Sequence, residues 1–110
     1  MASQTKALEV YSTGSLTVIG FYGRTLLHGV TALDCRDQLM QLAQEHKSVT
    51  FAFDLTRLKL VPSGMLGLFA AIKKSGIDVL LFNPGPDIRE VLEITKLDTI
   101  LNLFEIEIPA

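Results

Sequence analysis

Hydrophobic and polar positions alternate along the chain in a way that predicts strands and helices in turn. Residues 7–11 and 16–21 are short runs rich in β-branched and aromatic residues, separated by the turn-forming sequence Ser-Thr-Gly-Ser. Two such runs joined by a tight turn predict a β-hairpin. Residues 49–53 and 77–82 are further apolar runs typical of buried strands. Residues 103–108 alternate apolar and polar positions, which indicates a last strand.

Helical spacing predicts three helices between these strands. The first follows Thr31, which together with Asp34 resembles a capping box. The second begins near Ser63 and ends at Ser75-Gly76, and the third begins with Pro86 at its first position. The inner faces predicted for the first and third helices consist of Ala32, Cys35, Leu39, Leu42, His46, Ile88, Val91, Leu92 and Thr95.

The order of these strands and helices predicts one α/β domain over residues 1–110. Helical crossovers require parallel pairing of the strands that they connect, whereas the opening hairpin adds an antiparallel pair. The expected architecture is therefore a sandwich of one mixed four- to five-stranded sheet and its helices.

Composition and charge exclude several classes of function. Hydrophobic residues make up 48% of the 110 residues and charged residues 20%, which is not the composition of a disordered chain. A net charge of −2 gives no general attraction to nucleic acid or to an anionic membrane. The sequence has no apolar run near the ~18–20 residues of a membrane span and no secretory signal pattern. Cys35 is the only cysteine, so an internal disulfide and a thiolate metal site are excluded. We expect a cytoplasmic domain without a cofactor.

The segment from Asp54 to Gly67 contains the candidate chemistry. Ser63 follows Pro62 at the predicted helix start, where it is expected to be the N-cap and to accept a hydrogen bond from the first turn. The positive end of a helix also favours a phosphate, so Ser63 is either a plain cap or a phosphorylation site. We expect Asp54 to pair with a nearby backbone N–H. Thr56 is expected to be a turn hydroxyl, with a secondary phosphorylation site as its alternative.

The same segment, Asp-Leu-Thr-Arg-Leu-Lys-Leu-Val-Pro-Ser-Gly-Met-Leu-Gly, resembles the signature of the STAS domains, the family of the anti-sigma-factor antagonists. That signature runs Asp-Leu-Ser, five mixed residues, then Asp-Ser-Ser-Gly-Leu-Gly. The matching residues are Asp54, Leu55 and Thr56 at its opening and Ser63, Leu66 and Gly67 at its close.

Three positions depart from this signature. Pro62 stands in place of the Asp that precedes the phosphorylated Ser, Gly64 replaces the second Ser, and Met65 replaces a Gly. The resemblance covers nearly the whole chain and implies a STAS fold. Members of the family commonly finish with a further helix, which this sequence, ending at Ala110, is expected to lack.

The resemblance implies a non-enzymatic interaction module, an anti-sigma factor antagonist that is switched by serine phosphorylation. Its partner would be an anti-sigma factor that is also a switch-type serine kinase and phosphorylates Ser63. Asp54 and Thr56 would support this site. The residues expected to contact the partner are Pro62, Ser63, Gly64, Met65, Gly67, Leu68 and Arg24.

Two other classes of function stay open at this point. One is a non-phosphorylated STAS scaffold or subunit, as in a stressosome-like or transport-associated assembly, which includes a homo-oligomer. The other is a domain that binds a small ligand or a nucleotide, in which residues 83–86, Asn-Pro-Gly-Pro, would cradle a phosphate. A catalytic triad of Ser63, Asp54 and either His28 or His46 is disfavoured because the Gly-x-Ser-x-Gly elbow is absent.

Overall fold

Five strands form one mixed sheet in which neighbours along the chain are also neighbours in space. The computed structural model describes residues 8–27 and 31–105. The strands follow the order β1-β2-β3-β4-β5, with β1 antiparallel to β2 and every later pair parallel. The elements in chain order are β1 (Glu9–Ser12), β2 (Leu16–Gly20), α1 (Ala32–His46), β3 (Thr50–Asp54), α2 (Ser63–Lys74), β4 (Asp78–Phe82), α3 (Pro86–Ile94), a 3₁₀ turn (Leu97–Thr99) and β5 (Asn102–Phe104).

This architecture confirms the predicted α/β fold, with the hairpin at one edge of a five-stranded sheet. The last strand is shorter than predicted within the described residues, since β5 ends at Phe104 and residues 106–108 lie outside them. His28 also lies outside the described residues. None of the helices in the described part of the chain has the length and apolar character that crossing a bilayer requires.

The hydrophobic core lies between one face of the sheet and the three helices. Alternate residues of the central strands, among them Ile19, Phe53 and Leu81, are fully buried. They share a cluster with buried helix residues, and the Phe53 ring lies 4.5 Å from the ring of Phe69 on α2. Burial of each such side chain stabilises the fold by about 1.5–3 kcal/mol. The core therefore fixes α2 against β3.

The other face of the sheet has no helix over it among the described residues. Each crossover joins adjacent strands in the same direction, and right-handed crossovers then place α1, α2 and α3 on one side. On the opposite side lies a cavity of about 340 Å³ whose walls are strand residues alone. We call this surface the bare face, and its residues are Tyr11, Leu16, Val18, Ala52, Asp54, Leu80 and Phe82.

The helix starts and inner faces follow the sequence prediction in part. Thr31 is the N-cap of α1 and its hydroxyl accepts a hydrogen bond from the Asp34 N–H at 3.1 Å, as predicted. Pro86 is the first residue of α3, also as predicted. His46, Val91 and Thr95 are exposed and do not belong to the inner faces. His46 and Thr95 lie at the carboxyl ends of α1 and α3, and the buried side of α3 consists of Ile88 and Leu92. The predicted inner positions that are buried are Cys35, Leu39, Ile88 and Leu92, and those partly buried against the core are Ala32 and Leu42.

Candidate partner-binding site

The candidate residues lie together at the end of the sheet where the parallel strands have their carboxyl termini, and we call this end the edge below. The loops after β2, β3 and β4 all leave from this edge, since these strands run in the same direction. The backbone N–H of Lys59 donates to the carbonyl of Thr25 at 2.9 Å and joins the first two of these loops. Residues 21–27 and 55–62 therefore form one surface next to the start of α2.

Asp54 and Thr56 form a hydrogen-bonded turn where β3 ends. One oxygen of the half-buried Asp54 carboxylate accepts from the Thr56 N–H at 3.0 Å and from the Thr56 hydroxyl at 2.5 Å. The Asn83 side-chain amide, after β4, donates to the same hydroxyl at 3.0 Å. Asp54 thus pairs with a backbone N–H as predicted, and Thr56 is a turn hydroxyl engaged on both sides. The network fixes the loop that leads to α2.

Ser63 is the first residue of α2 and not its N-cap, which corrects the sequence prediction. Pro62 occupies the N-cap position, and its carbonyl accepts from the N–H groups of Met65 and Leu66 at 2.9 and 3.2 Å. Pro62 is extended (φ −57°, ψ 146°), so the helical conformation begins one residue later. The Ser63 side chain is exposed and does not cap the helix. Its hydroxyl is therefore available to a modifying enzyme.

The first turn of α2 carries no acidic residue. The positive end of its dipole is consequently uncompensated, and the first N–H groups of a helix have no partners within the helix. Residues 55–77 contain four basic residues and no acidic one. A phosphate on Ser63 would lie within this basic segment, where both the helix dipole and the net positive charge favour an anion.

Small residues line the exposed side of α2. Ser63, Gly64, Gly67 and Ala71 are exposed, and a Cβ added to Gly67 would meet no atom within 4 Å. We call these four residues the small strip. From Ser63 onwards its members are spaced by one, three and four residues along the helix, so a partner that contacts the serine can also approach the helix backbone closely.

Met65 and Leu68, which were predicted to contact a partner, are core residues. Met65 is 1% exposed and Leu68 is 7% exposed, and both belong to the cluster beneath the sheet. The large apolar side chains of α2 turn towards the sheet because burial removes most apolar surface there. The exposed surface of α2 therefore consists mainly of its small residues and not of its large apolar ones.

An apolar groove beside Pro62 was not singled out by the sequence. Its cavity of about 340 Å³ is lined by Leu26, Leu27, Leu60, Val61 and Pro62, from the two joined loops. Leu26 and Leu60 are 38% and 52% exposed, although each is large and apolar. The available signal was the presence of leucines in loop segments, where polar residues are usual. We call these five residues the loop groove.

Arg24 lies in the loop that contributes to this groove. Its backbone N–H donates to the Phe21 carbonyl, and its guanidinium lies 5.3 Å from the centre of the Tyr22 ring. Tyr22 and Arg57 both have positive φ, at 60° and 79°, so the two loops turn sharply where they adjoin. The structure thus places Arg24 on the same edge of the sheet as Pro62.

The alternative sites are not assembled in the described residues. His46 ends α1 before β3 begins, at the opposite edge of the sheet from Asp54, so it does not complete a triad with Ser63. The Asn83 amide is occupied by Thr56, and Pro86 provides no N–H at the start of α3. No group of three or more His, Cys, Asp or Glu side chains converges within residues 8–27 and 31–105.

Comparisons with known proteins agree with this fold. The sequence profile of the STAS domain matches residues 8–107. Unphosphorylated SpoIIAA, an anti-sigma factor antagonist, superposes with a TM-score of 0.72 at 18% identity, over 91% of this chain and 86% of that one. A Thermotoga maritima protein described as an anti-sigma factor antagonist gives 0.72 at 16% identity, over 90% and 86%.

Phosphorylated SpoIIAA of Bacillus gives a TM-score of 0.65 at 19% identity, over 92% of each chain. At these identities the structural likeness establishes a shared fold. A search of the curated proteins finds no match.

Proposed function

This chain belongs to the STAS domain family, and we propose that it is an anti-sigma factor antagonist switched by phosphorylation of Ser63. The observation that carries the proposal is the position of that serine. Its exposed side chain stands at the first residue of a helix whose first turn has no acidic residue. In this proposal the unmodified protein binds an anti-sigma factor, which is also its serine kinase, and releases it after phosphorylation.

The surface around Ser63 supports a protein partner. The small strip admits a close approach to α2, and the loop groove beside it offers exposed apolar area. Together they provide an apolar contact next to a basic segment, which suits a partner surface that is partly acidic. The structural neighbour SpoIIAA is known in unphosphorylated and phosphorylated forms, and this is what directs the proposal to a phosphorylation switch.

The switch would act through charge. A phosphoserine carries about −1.5 to −2 charges at pH 7. This charge would lie within residues 55–77, offset their positive charge and repel an acidic partner. The helix end accommodates the phosphate, so the domain stays folded in both states and only its affinity changes.

The direct test is phosphorylation by switch-type serine kinases in the presence of ATP. Intact mass followed by peptide mapping should find one added phosphoryl group on Ser63. Ser63→Ala should abolish it. Ser75→Ala is the matched control, because Ser75 lies at the other end of α2 and its hydroxyl already donates to the Ile72 carbonyl at 2.7 Å. A phosphate on Ser75 or Thr56 and none on Ser63 would contradict the proposed site.

A non-phosphorylated scaffold is the second candidate function, and Pro62 favours it. Proline before the serine holds the backbone at a fixed φ and removes an N–H that an enzyme could bind. Binding of Ser63→Glu to the partner distinguishes the two functions, with Ser75→Glu as the control. The antagonist function predicts weaker binding of Ser63→Glu alone by about tenfold, the effect of a repulsive charge worth about 1.4 kcal/mol. The scaffold function predicts equal binding of both variants.

A further inference from the structure

The bare face is an apolar surface on the opposite side of the sheet from Ser63. Val18, Ala52 and Leu80 are paired in register across its centre. The small Ala52 side chain in the middle, with larger neighbours on both sides, makes the surface concave. Leu16 is 46% exposed, and Phe82 stacks on Phe104 of β5 with ring centres 5.5 Å apart. These residues form one continuous apolar surface, which we also call the dish because it is concave.

Tyr11 forms one wall of the dish. A register shift in β1 between Val10 and Ser12 leaves Tyr11 without a direct partner, and its ring lies against Gly20 of β2. A Cβ on Gly20 would overlap the Tyr11 ring and hydroxyl, so the glycine makes room for this wall. Half of the Tyr11 side chain stays exposed (51%).

The charges at the dish are acidic. The five strands contain Glu9, Asp54 and Asp78, and none of their residues is lysine or arginine. Asp78 is paired with Lys73 of α2 at 2.6 Å. Glu9 and Asp54 both lie close to the Tyr11 hydroxyl. Burial first, and then the charges of Asp54 and Glu9 and a hydrogen bond to Glu9, raise the pKa of that phenol. Two carboxylates therefore stand at one end of an apolar surface.

The area of the bare face distinguishes between two possible binding partners, a second copy of the chain and a single helix. Phe104 of β5 extends this surface beside Phe82, so that it spans five strands. With strands about 4.8 Å apart and alternate residues of a strand about 6.7 Å apart, five strands and three rows of residues cover roughly 19 by 13 Å. This is about 250 Å², whereas a stable dimer buries about 800 Å² on each partner. A helix about 10 Å wide, whose three turns measure about 16 Å, matches the dish. A second copy of the chain would also bring its own acidic dish against this one.

We propose that the bare face docks an amphipathic helix of a partner protein, with an apolar stripe on the dish and a lysine or arginine beside Glu9 and Asp54. Such a helix places i, i+3, i+4 and i+7 side chains in a groove. Its cation complements the carboxylates at the Tyr11 end, and its stripe fills the concavity above Ala52. Asp54 borders both this site and the turn that it forms with Thr56, but Ser63 lies on the opposite side of the sheet, so both surfaces can be occupied together.

Two synthetic helical peptides provide the test. Both have the same leucine stripe, but one is flanked by lysines and the other by glutamates. Amide chemical shifts of the labelled full chain should change at residues 16–18, 52–54 and 80–82 with the lysine peptide, and much less with the glutamate peptide. Equal binding of both peptides, or changes confined to α2 and its loops, would overturn the proposal.

Substitutions on the bare face, with a control on α3, test whether the peptide binds there. Leu80→Lys should weaken the lysine peptide about tenfold or more, because it replaces a central contact with a like charge. Ile94→Lys is the matched control, since Ile94 is 73% exposed on α3, and it should bind as the parent does. Glu9→Gln keeps the apolar surface and should weaken the lysine peptide about threefold, as loss of an exposed ion pair does.

Sedimentation of the parent chain tests whether a second copy of the chain binds the bare face instead. We expect a monomer whose state Leu80→Lys does not alter. A dimer that Leu80→Lys dissociates and Ile94→Lys leaves intact would assign the face to a second copy, against the proposal. Thermal unfolding of both variants confirms that each is folded before its binding is compared.

Discussion

Replacement of Gly67 by alanine should stabilise the domain and at the same time weaken its partner binding. Gly67 lies inside α2 on the small strip, and its added Cβ would meet no atom within 4 Å. Glycine within a helix costs about 0.5–1 kcal/mol relative to alanine, so the free energy of unfolding should rise by about that amount. For a domain of this size 1 kcal/mol corresponds to about 4 °C in Tm. The methyl group would nevertheless stand one turn from Ser63, where a partner is expected to approach.

Urea denaturation measures the stability, and calorimetric titration with the proposed partner, an anti-sigma factor, measures the affinity. Gly76→Ala is the matched stability control. Gly76 has a φ of +106° after the end of α2, where a side chain is strained, so this change should destabilise by about 1 kcal/mol or more. A lower stability of Gly67→Ala would contradict the finding that a side chain at position 67 has free space on the surface of α2. Higher stability with unchanged affinity would contradict the role of the small strip in binding.

Three other predictions follow from the buried and hydrogen-bonded groups. Thr56→Val removes the hydroxyl that joins Asp54 to Asn83, and it should lower the free energy of unfolding by about 1–2 kcal/mol in urea, whereas Thr56→Ser should retain most of it. Phe69→Ala should cost about 3–5 kcal/mol, because the ring is fully buried, and an unchanged midpoint would refute the packing of α2. Burial raises the pKa of the Cys35 thiol from 9.0 to about 11. Between pH 9 and 11 the thiol therefore stays protonated in the folded state but is deprotonated in the unfolded state. Deprotonation then favours unfolding, so the contribution of the buried thiol to the free energy of unfolding is complete below pH 9 and is lost as the pH rises towards 11. Cys35→Ala should show a smaller decline over that range, and identical pH profiles would contradict the assignment.

The sequence was sufficient where local chemistry decides the structure. Thr31 caps α1 because its hydroxyl reaches the N–H three residues on, and Pro86 starts α3 because it needs no N–H there. The start of α2 differs by one residue. Serine is preferred at an N-cap, but the Pro62 carbonyl accepts the first helical hydrogen bonds, and Ser63 adopts the helical conformation instead. Preference at one position cannot determine which of two adjacent residues begins the helix.

Tertiary packing determined what the sequence did not. The apolar residues of α2 occur almost all round the helix, so periodicity did not reveal that Met65 and Leu68 face the sheet while Gly67 faces outwards. The loop groove depends on a hydrogen bond between residues 25 and 59, two positions that are 34 apart in the chain. The bare face depends on the side from which each crossover returns. These features arise from contacts between distant segments, which a pattern along the chain does not encode.

The order of strands in the sheet also affects how the chain can fold. Every strand pairs with the strand before it, so each helix and strand after the hairpin adds to one growing edge. Loops closed in this order are short, and short loops have a lower entropic cost than long ones. No early strand must wait for a late one to complete its hydrogen bonds. During synthesis from the N-terminus, each new unit could therefore dock on the preceding one as it leaves the ribosome, while β5 completes the sheet last.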